Sequence, residues 1–265
     1  MYQENIKAKK KFGQNFLNNK QTIQKIVNVI NPAGKKIIEI GPGLGAITKE
    51  IINETNKFIA FEIDKDMIQV LDDLQIFDND CKTVIEGDFL QKDLSLYDGF
   101  EVVGNIPYYI TSDIIFKIID NRFLLKRAVL MVQNEVAERI VARPNSPEYS
   151  KLSITCQYVA DVKKELFIGK KNFTPIPKVD SAIVSFNFHQ DKQDNYYNLK
   201  DFFKLCFLQR RKKLIWSLSQ TYSKDIVLKV FNILNLSENA RIQELDLKTI
   251  LNLYKFLNGE GCRYE

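Results

Sequence analysis

Lys36-Ile37-Ile38-Glu39-Ile40-Gly41-Pro42-Gly43-Leu44-Gly45-Ala46 is the stretch that decides how this chain folds. Its first half is a short apolar run of the kind that makes a buried strand. Its glycines then allow a tight turn and a close approach of a ligand to the backbone, and a helix-like pattern follows to about Asn53. Upstream, Ile23, Ile26, Val27 and Ile30 recur at helical spacing, and Asn31-Pro32-Ala33-Gly34 stops that helix. Downstream, strands are expected at Phe58 to Glu62, Thr83 to Glu86, Glu101 to Val103 and Ala128 to Val132. Helical patterns lie between most of them, including Asp66 to Leu74 and Ser112 to Asp120. This alternation predicts a mainly parallel sheet covered on both faces. Ser181 to Phe188 alternates polar and apolar residues, as a late edge or hairpin strand would.

His189 to Asn195 is polar and reads as a linker. After it the pattern is helical only, at Phe202 to Gln209, Leu214 to Leu218, Ile226 to Leu234 and Leu245 to Leu257. The expected architecture is an α/β, Rossmann-like domain over residues 1–190 and a small α-helical domain over residues 196–265.

Composition narrows the class. Of 265 residues, 45% are apolar and 27% charged, the balance of an ordinary soluble protein. No apolar run approaches the roughly 18 residues needed to span a bilayer, so no membrane partner is expected. Met1 to Lys11 is polar and basic and does not read as a secretory signal. The four cysteines, Cys81, Cys156, Cys206 and Cys262, have no metal-ligand or redox spacing, which suggests structural thiols in a reducing compartment such as the cytoplasm. Charge is uneven along the chain: residues 1–30 carry +5, residues 31–197 carry −5 and residues 198–265 carry +5. A mildly acidic middle between two basic ends suggests a polyanionic partner, with solvated lysines as the plain alternative.

Several residues point to a nucleotide-like ligand. Glu62 ends the second expected strand, 21 residues after Gly41, where a carboxylate accepts hydrogen bonds from both ribose hydroxyls. Gly41, Gly43 and Ala46 also satisfy the dinucleotide fingerprint, so this motif alone leaves a dehydrogenase and a methyltransferase level. Gly87-Asp88-Phe89 follows the third strand, with Asp88 placed to accept an adenine amino group and Phe89 to pack nearby. Asn105-Ile106-Pro107-Tyr108 follows the fourth strand, at the carboxyl edge where open α/β sheets bind ligands. An exocyclic amine on a purine ring is a poor nucleophile that needs acceptors for its protons. The Asn105 oxygen and the Ile106 carbonyl supply two. Pro107 rigidifies the turn, and Tyr108 offers a ring on which an unstacked base can lie. The only histidine is His189, in the linker, so neither a His-based triad nor a metal site is expected.

With these residues in place, the chain resembles the ribosomal RNA adenine dimethyltransferase family, and within it the small-subunit, KsgA-type branch. The segments that carry the resemblance run nearly end to end. They are Lys11 to Leu17, Glu39 to Gly43, Glu62, Gly87-Asp88, Asn105 to Tyr108, Met131 to Ala137, Phe173 to Ala182 and Gln209 to Leu214. The resemblance implies a Rossmann-like S-adenosylmethionine-dependent methyltransferase with a lid formed by Lys11 to Leu17. It implies that Asn15, Leu17, Gly41, Glu62, Asp88 and Asn105 hold S-adenosylmethionine, to which the residue pattern adds Gly43 and Phe89, and that Asn105, Pro107 and Tyr108 frame the target adenine. It further implies dimethylation of two adjacent adenosines in a hairpin loop near the 3′ end of small-subunit (16S) rRNA, within an assembling particle, by a monomer. Lys9, Lys10 and Lys11 on one side and the expected basic helix of Arg210, Arg211, Lys212 and Lys213 on the other are the candidate phosphate contacts.

Ile106 and Tyr109 depart from the residues common in that branch. Together with Thr111 to Ile115 they are also reminiscent of the antibiotic-resistance branch, which methylates large-subunit (23S) rRNA. A non-catalytic RNA-binding or transcription factor on the same fold is the alternative of another class. Retention of Gly41, Glu62, Asp88 and Asn105 together argues against it.

Overall fold

The computed structural model describes residues 8–9, 12–77, 81–191 and 195–259. They divide into two compact units, one of residues 1–137 with 161–190 and one of residues 138–160 with 191–265.

The first unit begins with a two-residue strand, β1 (Phe16–Leu17), and helix α1 (Lys20–Ile30). The Asn19 side chain caps α1 by accepting from the Thr22 N–H, satisfying one of its orphan donors. The α/β run follows as β2 (Lys36–Ile40), α2 (Thr48–Ile51), β3 (Lys57–Glu62), α3 (Lys65–Asp73), β4 (Lys82–Glu86), β5 (Phe100–Asn105), α4 (Thr111–Asp120) and β6 (Leu125–Gln133). Helix α5 (Asn134–Val141) runs across the division between units, and α6 (Lys151–Val159) lies in the second unit. The chain returns to the first unit through β7 (Ala160–Ile168), β8 (Phe173–Thr174) and β9 (Ser181–Phe188).

Seven strands form one sheet in the order β4-β3-β2-β5-β6-β9-β7. The four pairings from β4 to β6 are parallel and β6 to β9 is antiparallel. Each parallel crossover passes through a helix or a short helical turn, as a βαβ unit requires. Ile37, Phe58, Val103 and Val129 of the sheet share a buried cluster with Ile26, Val27 and Ile30 of α1 and with Ile51 of α2. Their strand neighbours Ile38, Ile59, Val102 and Leu130 are equally buried and point to the opposite face, so both faces are covered.

Three expectations change here. β9 is an interior strand between β6 and β7, and seven of its eight residues are buried. Its apparent polar alternation came from Ser181 and Ser185, small hydroxyls that hydrogen-bond Tyr108 and Glu165 inside the fold. The helix-like stretch after the glycines is only the four-residue α2. Finally, the expected 1–190 domain is interrupted, because residues 138–160 group with the C-terminal helices.

The second unit adds α7 (Tyr196–Cys206), α8 (Leu214–Leu218), α9 (Lys224–Ile233) and α10 (Leu247–Leu257). Phe203, Leu218, Phe231, Ile250 and Leu253 form its core together with Ile154 of α6. Tyr149 is buried there, and its hydroxyl donates to the Leu245 carbonyl at 3.0 Å. Ile154 and Tyr149 explain why residues 138–160 belong to this unit: their apolar surface is spent on the helical core. Among the described residues no helix is long and apolar enough to cross a membrane.

One buried carboxyl ties β2 to α2. Glu39 is 2% exposed and accepts from the Thr48 hydroxyl at 2.7 Å. Burial pushes its carboxyl up to about 7, the Thr48 hydrogen bond works against that, and the charge of Glu62 adds to it. A carboxyl raised in this way binds its proton more tightly in the folded chain than in the unfolded one. Its contribution to stability is therefore complete below the ordinary value of 4.5 and is lost as pH rises to about 7. Urea unfolding at a series of pH values should detect a loss of up to about 3 kcal/mol from this group across that window. Glu39→Gln should remove that part of the slope.

Candidate active site

The site is built where the parallel strands end together. Ile40 is in register with Phe61 on one side and with Gly104 on the other, so the chain leaves β2, β3 and β5 at one level. The Gly41 N–H donates to the Phe61 carbonyl at 2.9 Å, which continues the ladder one step into the loop. Gly41 has φ +64°, a region that favours glycine, and a Cβ there would meet nothing nearer than the Asn105 carbonyl at 4.0 Å. The loops that follow these strands enclose a cleft of about 220 Å³ that reaches from Phe12 to Met131.

Glu62 stands in this cleft, 4% exposed. Its Oε2 accepts from the Gly43 N–H at 3.1 Å, and its Oε1 accepts from the Ile63 and Asp64 N–H groups at 2.9 Å each. Burial raises its carboxyl above the ordinary range and these three backbone donors oppose the rise. The carboxylate is thus fixed in orientation and retains lone pairs for a pair of hydroxyls. A buried, pre-oriented acceptor beside open space over Gly41 suits the ribose of a nucleoside ligand.

Asp88 lines the same cleft and accepts from the Leu90 N–H at 2.9 Å, which starts the Phe89–Gln91 turn. Phe89 is buried against Phe61, with ring centroids 5.8 Å apart. The Lys117 ammonium holds this turn by donating to the Leu90 and Lys92 carbonyls at 2.8 and 2.6 Å.

The tetrapeptide begins at the last residue of β5. Asn105 Nδ2 donates to the Asn15 carbonyl at 3.1 Å. A carbonyl only accepts, so the amide nitrogen must face Asn15 and the oxygen lies at the other end of the same plane. Among the described residues nothing donates to that oxygen, and nothing donates to the Ile106 carbonyl. The Pro107 carbonyl accepts from the Ile110 N–H and the Thr111 hydroxyl, and the Tyr108 carbonyl also accepts from Thr111. Two acceptors at the head of the turn are therefore open while the two behind them are engaged. The Tyr108 hydroxyl bonds Ser181 Oγ at 2.8 Å, which anchors its ring, and Tyr109 next to it is 62% exposed.

The segment 12–17 crosses the cleft as a strap. Phe16 and Leu17 pair antiparallel with Thr174 and Phe173, and Phe16 lies against Gly43, where a Cβ would be 3.3 Å from its ring. The structure thus brings Asn15, Leu17, Gly41, Gly43, Glu62, Asp88, Phe89, Asn105, Pro107 and Tyr108 to one cleft. Gln14 also lines the cleft, and Asp64 and Ser181, which do not, support it through hydrogen bonds to Gln14 and Tyr108; none of the three was singled out as a site residue. Gln14 and Ser181 carried a signal through their places in the Lys11 to Leu17 and Phe173 to Ala182 segments, and Asp64 carried none.

The basic candidates fare differently. The Lys9 ammonium lies 2.6 Å from Asp64 Oδ1 and 2.7 Å from Asp66 Oδ2, so it is engaged within the protein and not held out for a phosphate. Lys10 and Lys11 lie outside the described residues, as does Cys262. Residues 210–213 form a turn between α7 and α8, not a basic helix. The Arg210 guanidinium donates to the Ser146 and Pro147 carbonyls, while Arg211, Lys212 and Lys213 are exposed. The turn closes because Leu214 is buried and its N–H donates to the Ala240 carbonyl at 2.8 Å.

Comparison with known proteins agrees with this geometry. Residues 5–259 match the family model described as ribosomal RNA adenine dimethylase. The ribosomal RNA small subunit methyltransferase A of Mycoplasmopsis synoviae is 48% identical over 95% of this chain and 97% of its own. The protein of the same name from Mycoplasmopsis pulmonis is 42% identical over 91% and 95%. Among solved structures, a dimethyladenosine transferase from Plasmodium falciparum superposes with a TM-score of 0.82 at 29% identity, covering 93% of this chain and 98% of that one. The 23S rRNA methyltransferase ErmE superposes at 0.73 with 23% identity over 92% and 100%, a likeness of fold alone. The fold is that of the Rossmann-like methyltransferases, and the chain belongs to the ribosomal RNA adenine dimethylase family.

Proposed function

We propose that this protein transfers methyl groups from S-adenosylmethionine to the N6 atoms of two adjacent adenosines in a 3′-terminal hairpin loop of small-subunit rRNA, during assembly of that subunit. The observation that carries the reading is the pair of open acceptors, Asn105 Oδ1 and the Ile106 carbonyl, at the mouth of a cleft that also holds Glu62. The names of the relatives, small subunit methyltransferase A, support the choice of RNA.

S-adenosylmethionine supplies an electrophilic methyl group on a sulfonium. Glu62 accepts from the ribose hydroxyls, Asp88 from the adenine amino group of the donor, and Gly41 and Gly43 keep the floor of the cleft free of side chains. Asn15 and Leu17 cover it from the strap. On the acceptor side, the target adenine leaves its stack and lies on Tyr108, whose ring is anchored through Ser181. Asn105 Oδ1 and the Ile106 carbonyl accept hydrogen bonds from the two amino N–H groups, which draws the nitrogen lone pair out of conjugation. The N–CH3 bond would form as the S–CH3 bond breaks, and the nitrogen, left cationic, would release one proton to water. Positioning supplies most of the acceleration, and no strong base is required. A monomethylated amine retains one proton and keeps one of the two acceptors, so the same site accommodates a second transfer.

RNA is held mainly through phosphates, and Arg211, Lys212 and Lys213 are the exposed cations of the Arg210–Lys213 turn. Lys212 Nζ sits 5.6 Å from the ring centre of Trp216, which is 58% exposed and adds an apolar face beside the charges.

Two measurements test this reading. Asn105→Ala should reduce methyl transfer by at least about a hundredfold while donor binding, followed by calorimetry, persists; near-normal turnover would overturn the acceptor mechanism. Primer extension on unmethylated small subunits treated with the protein should stop at two neighbouring adenines, whereas a stop on large-subunit RNA would transfer the assignment to the other branch. Separately, neutralising Arg211, Lys212 and Lys213 together should lower the slope of log K against log salt by about 2 for single-stranded contacts. An unchanged slope would remove the turn from the RNA interface.

A further inference from the structure

The Asn105 amide needs a reason to hold its oxygen toward the base. Rotating it by half a turn would present two donors to an amine that itself has two protons, and the site would repel its substrate. β5 fixes the Asn105 backbone but not this rotation. The rotation is set by the Asn15 carbonyl, which belongs to the strap and not to the sheet.

The strap is held beyond Asn15 by the pairing of Phe16 and Leu17 with Thr174 and Phe173, and before Asn15 by Gln14. The Gln14 side chain faces both ways: its Oε1 accepts from the Lys9 N–H at 2.8 Å, and its Nε2 donates to Asp64 Oδ2 at 2.8 Å. The Lys9 ammonium closes on the other oxygen of the same carboxylate at 2.6 Å. Asp64 is 2% exposed and accepts from the Asp66 N–H at the first turn of α3, so it is rigidly tied to the β3–α3 junction. Burial pushes the Asp64 carboxyl up, but the hydrogen bonds from Lys9, Gln14 and the Asp66 N–H outweigh it and hold the group ionised below its ordinary range. On the far side of Gln14 the strap rests on the tetrapeptide itself. Gly13 has φ +62°, and a Cβ there would lie 3.4 Å from the Tyr109 ring and 3.8 Å from Pro107. The Asn15 side chain donates back to the Gly13 carbonyl at 3.1 Å, which stiffens the turn that carries the Asn15 carbonyl.

From this connected path we infer that Gln14 and Asp64 are positioning residues for methyl transfer: they hold the Asn15 carbonyl where it turns the Asn105 amide, and so set the acceptor that recognises the target amine. The inference rests on the proposed role of Asn105 as acceptor. It differs from a strap that only covers the donor. A cover would change how tightly the donor binds, whereas a positioning strap also changes the rate with every site filled.

The test uses the full-length protein with saturating donor and RNA. Gln14→Glu places a second carboxylate against Asp64 and breaks the path. Its kcat should fall at least about tenfold, measured at a temperature where circular dichroism shows the variant still folded. Asp64→Asn added to Gln14→Glu restores a donor-acceptor pair and retains a good cap for α3, and it should recover most of that kcat. A change confined to the donor KM, or failure of the second substitution to recover kcat in a folded protein, would overturn the inference. The readout independent of methyl transfer is the side-chain amide of Asn105, observed by NMR with ¹⁵N label. Its proton exchange should be slow in the wild type and fast in Gln14→Glu, and equal exchange in the two would overturn the positioning role. If the wild type itself transfers no methyl to adenine, the proposed function fails, and the amide exchange still decides whether the strap orients Asn105.

Discussion

The in-register ending of β2, β3 and β5 is the constraint on which everything else depends. β5 approaches β2 so closely that a Cβ on Gly104 would sit 2.7 Å from the Ile40 carbonyl. Only glycine fits between them. That contact brings Asn105, the next residue, level with Gly41, while the Gly41–Phe61 hydrogen bond brings Glu62 to the same height. A displaced β5 would leave the donor side of the cleft intact and carry the acceptor side away from it. The chemistry proposed for this site needs both sides within one small volume, so Gly104 is as much a part of the site as the residues that line it.

Among the described residues three of the carboxyl groups at this end of the sheet are buried, and their surroundings give them different duties. Among the described residues Glu39 has one hydroxyl donor and no cation, so burial dominates and its proton is held to near neutrality. Glu62 receives three backbone N–H bonds, which fix its oxygens and offset much of the cost of burying it. Asp64 has a lysine, an amide and a helix N–H, and stays ionised although almost wholly buried. Glu39 holds α2 to the sheet, Glu62 faces the cleft and Asp64 holds the strap. A single sequence pattern, carboxylates at strand ends, thus resolves into three roles only through the donors that each one meets.

Much of this was legible in the sequence because it is local. The apolar run 36–40, the glycines after it, Glu62, Asp88 and Asn105 to Tyr108 all sit at the carboxyl ends of strands whose alternation with helices is visible along the chain. What was not legible depends on contacts between distant segments. Gln14 meets Asp64 across 50 residues, and Tyr108 meets Ser181 across 73. Of the two readings of β9, edge or hairpin strand, the edge fails: serines count as polar, yet their hydroxyls are satisfied inside the fold, between β6 and β7. Lys9 and Arg210 looked like free charge because a list of residues does not show that Asp64, Asp66 or the Ser146 and Pro147 carbonyls stand beside them. Residues 138–160 follow the α/β pattern in sequence but spend Tyr149 and Ile154 on the helical core, which no periodicity within the segment reveals.

The divided origin of the two acceptors has a physical logic. The Ile106 carbonyl is main chain, directed by Pro107 and by the Ile106 N–H, which donates to the Met131 carbonyl at 3.0 Å. It is set once the sheet has formed. The Asn105 oxygen is on a side chain that can rotate, and its orientation comes from the strap. An amine with two protons needs both acceptors at once, so under the proposed function the sheet alone would make half of the recognition site and the strap would complete it. The strap lies along the donor cleft, with Phe16 against Gly43 and Leu17 among its lining residues. In the proposed reading, the element that would cover the donor is also the one that orients the acceptor, and a site arranged in this way would be complete for the target base only where the strap is seated.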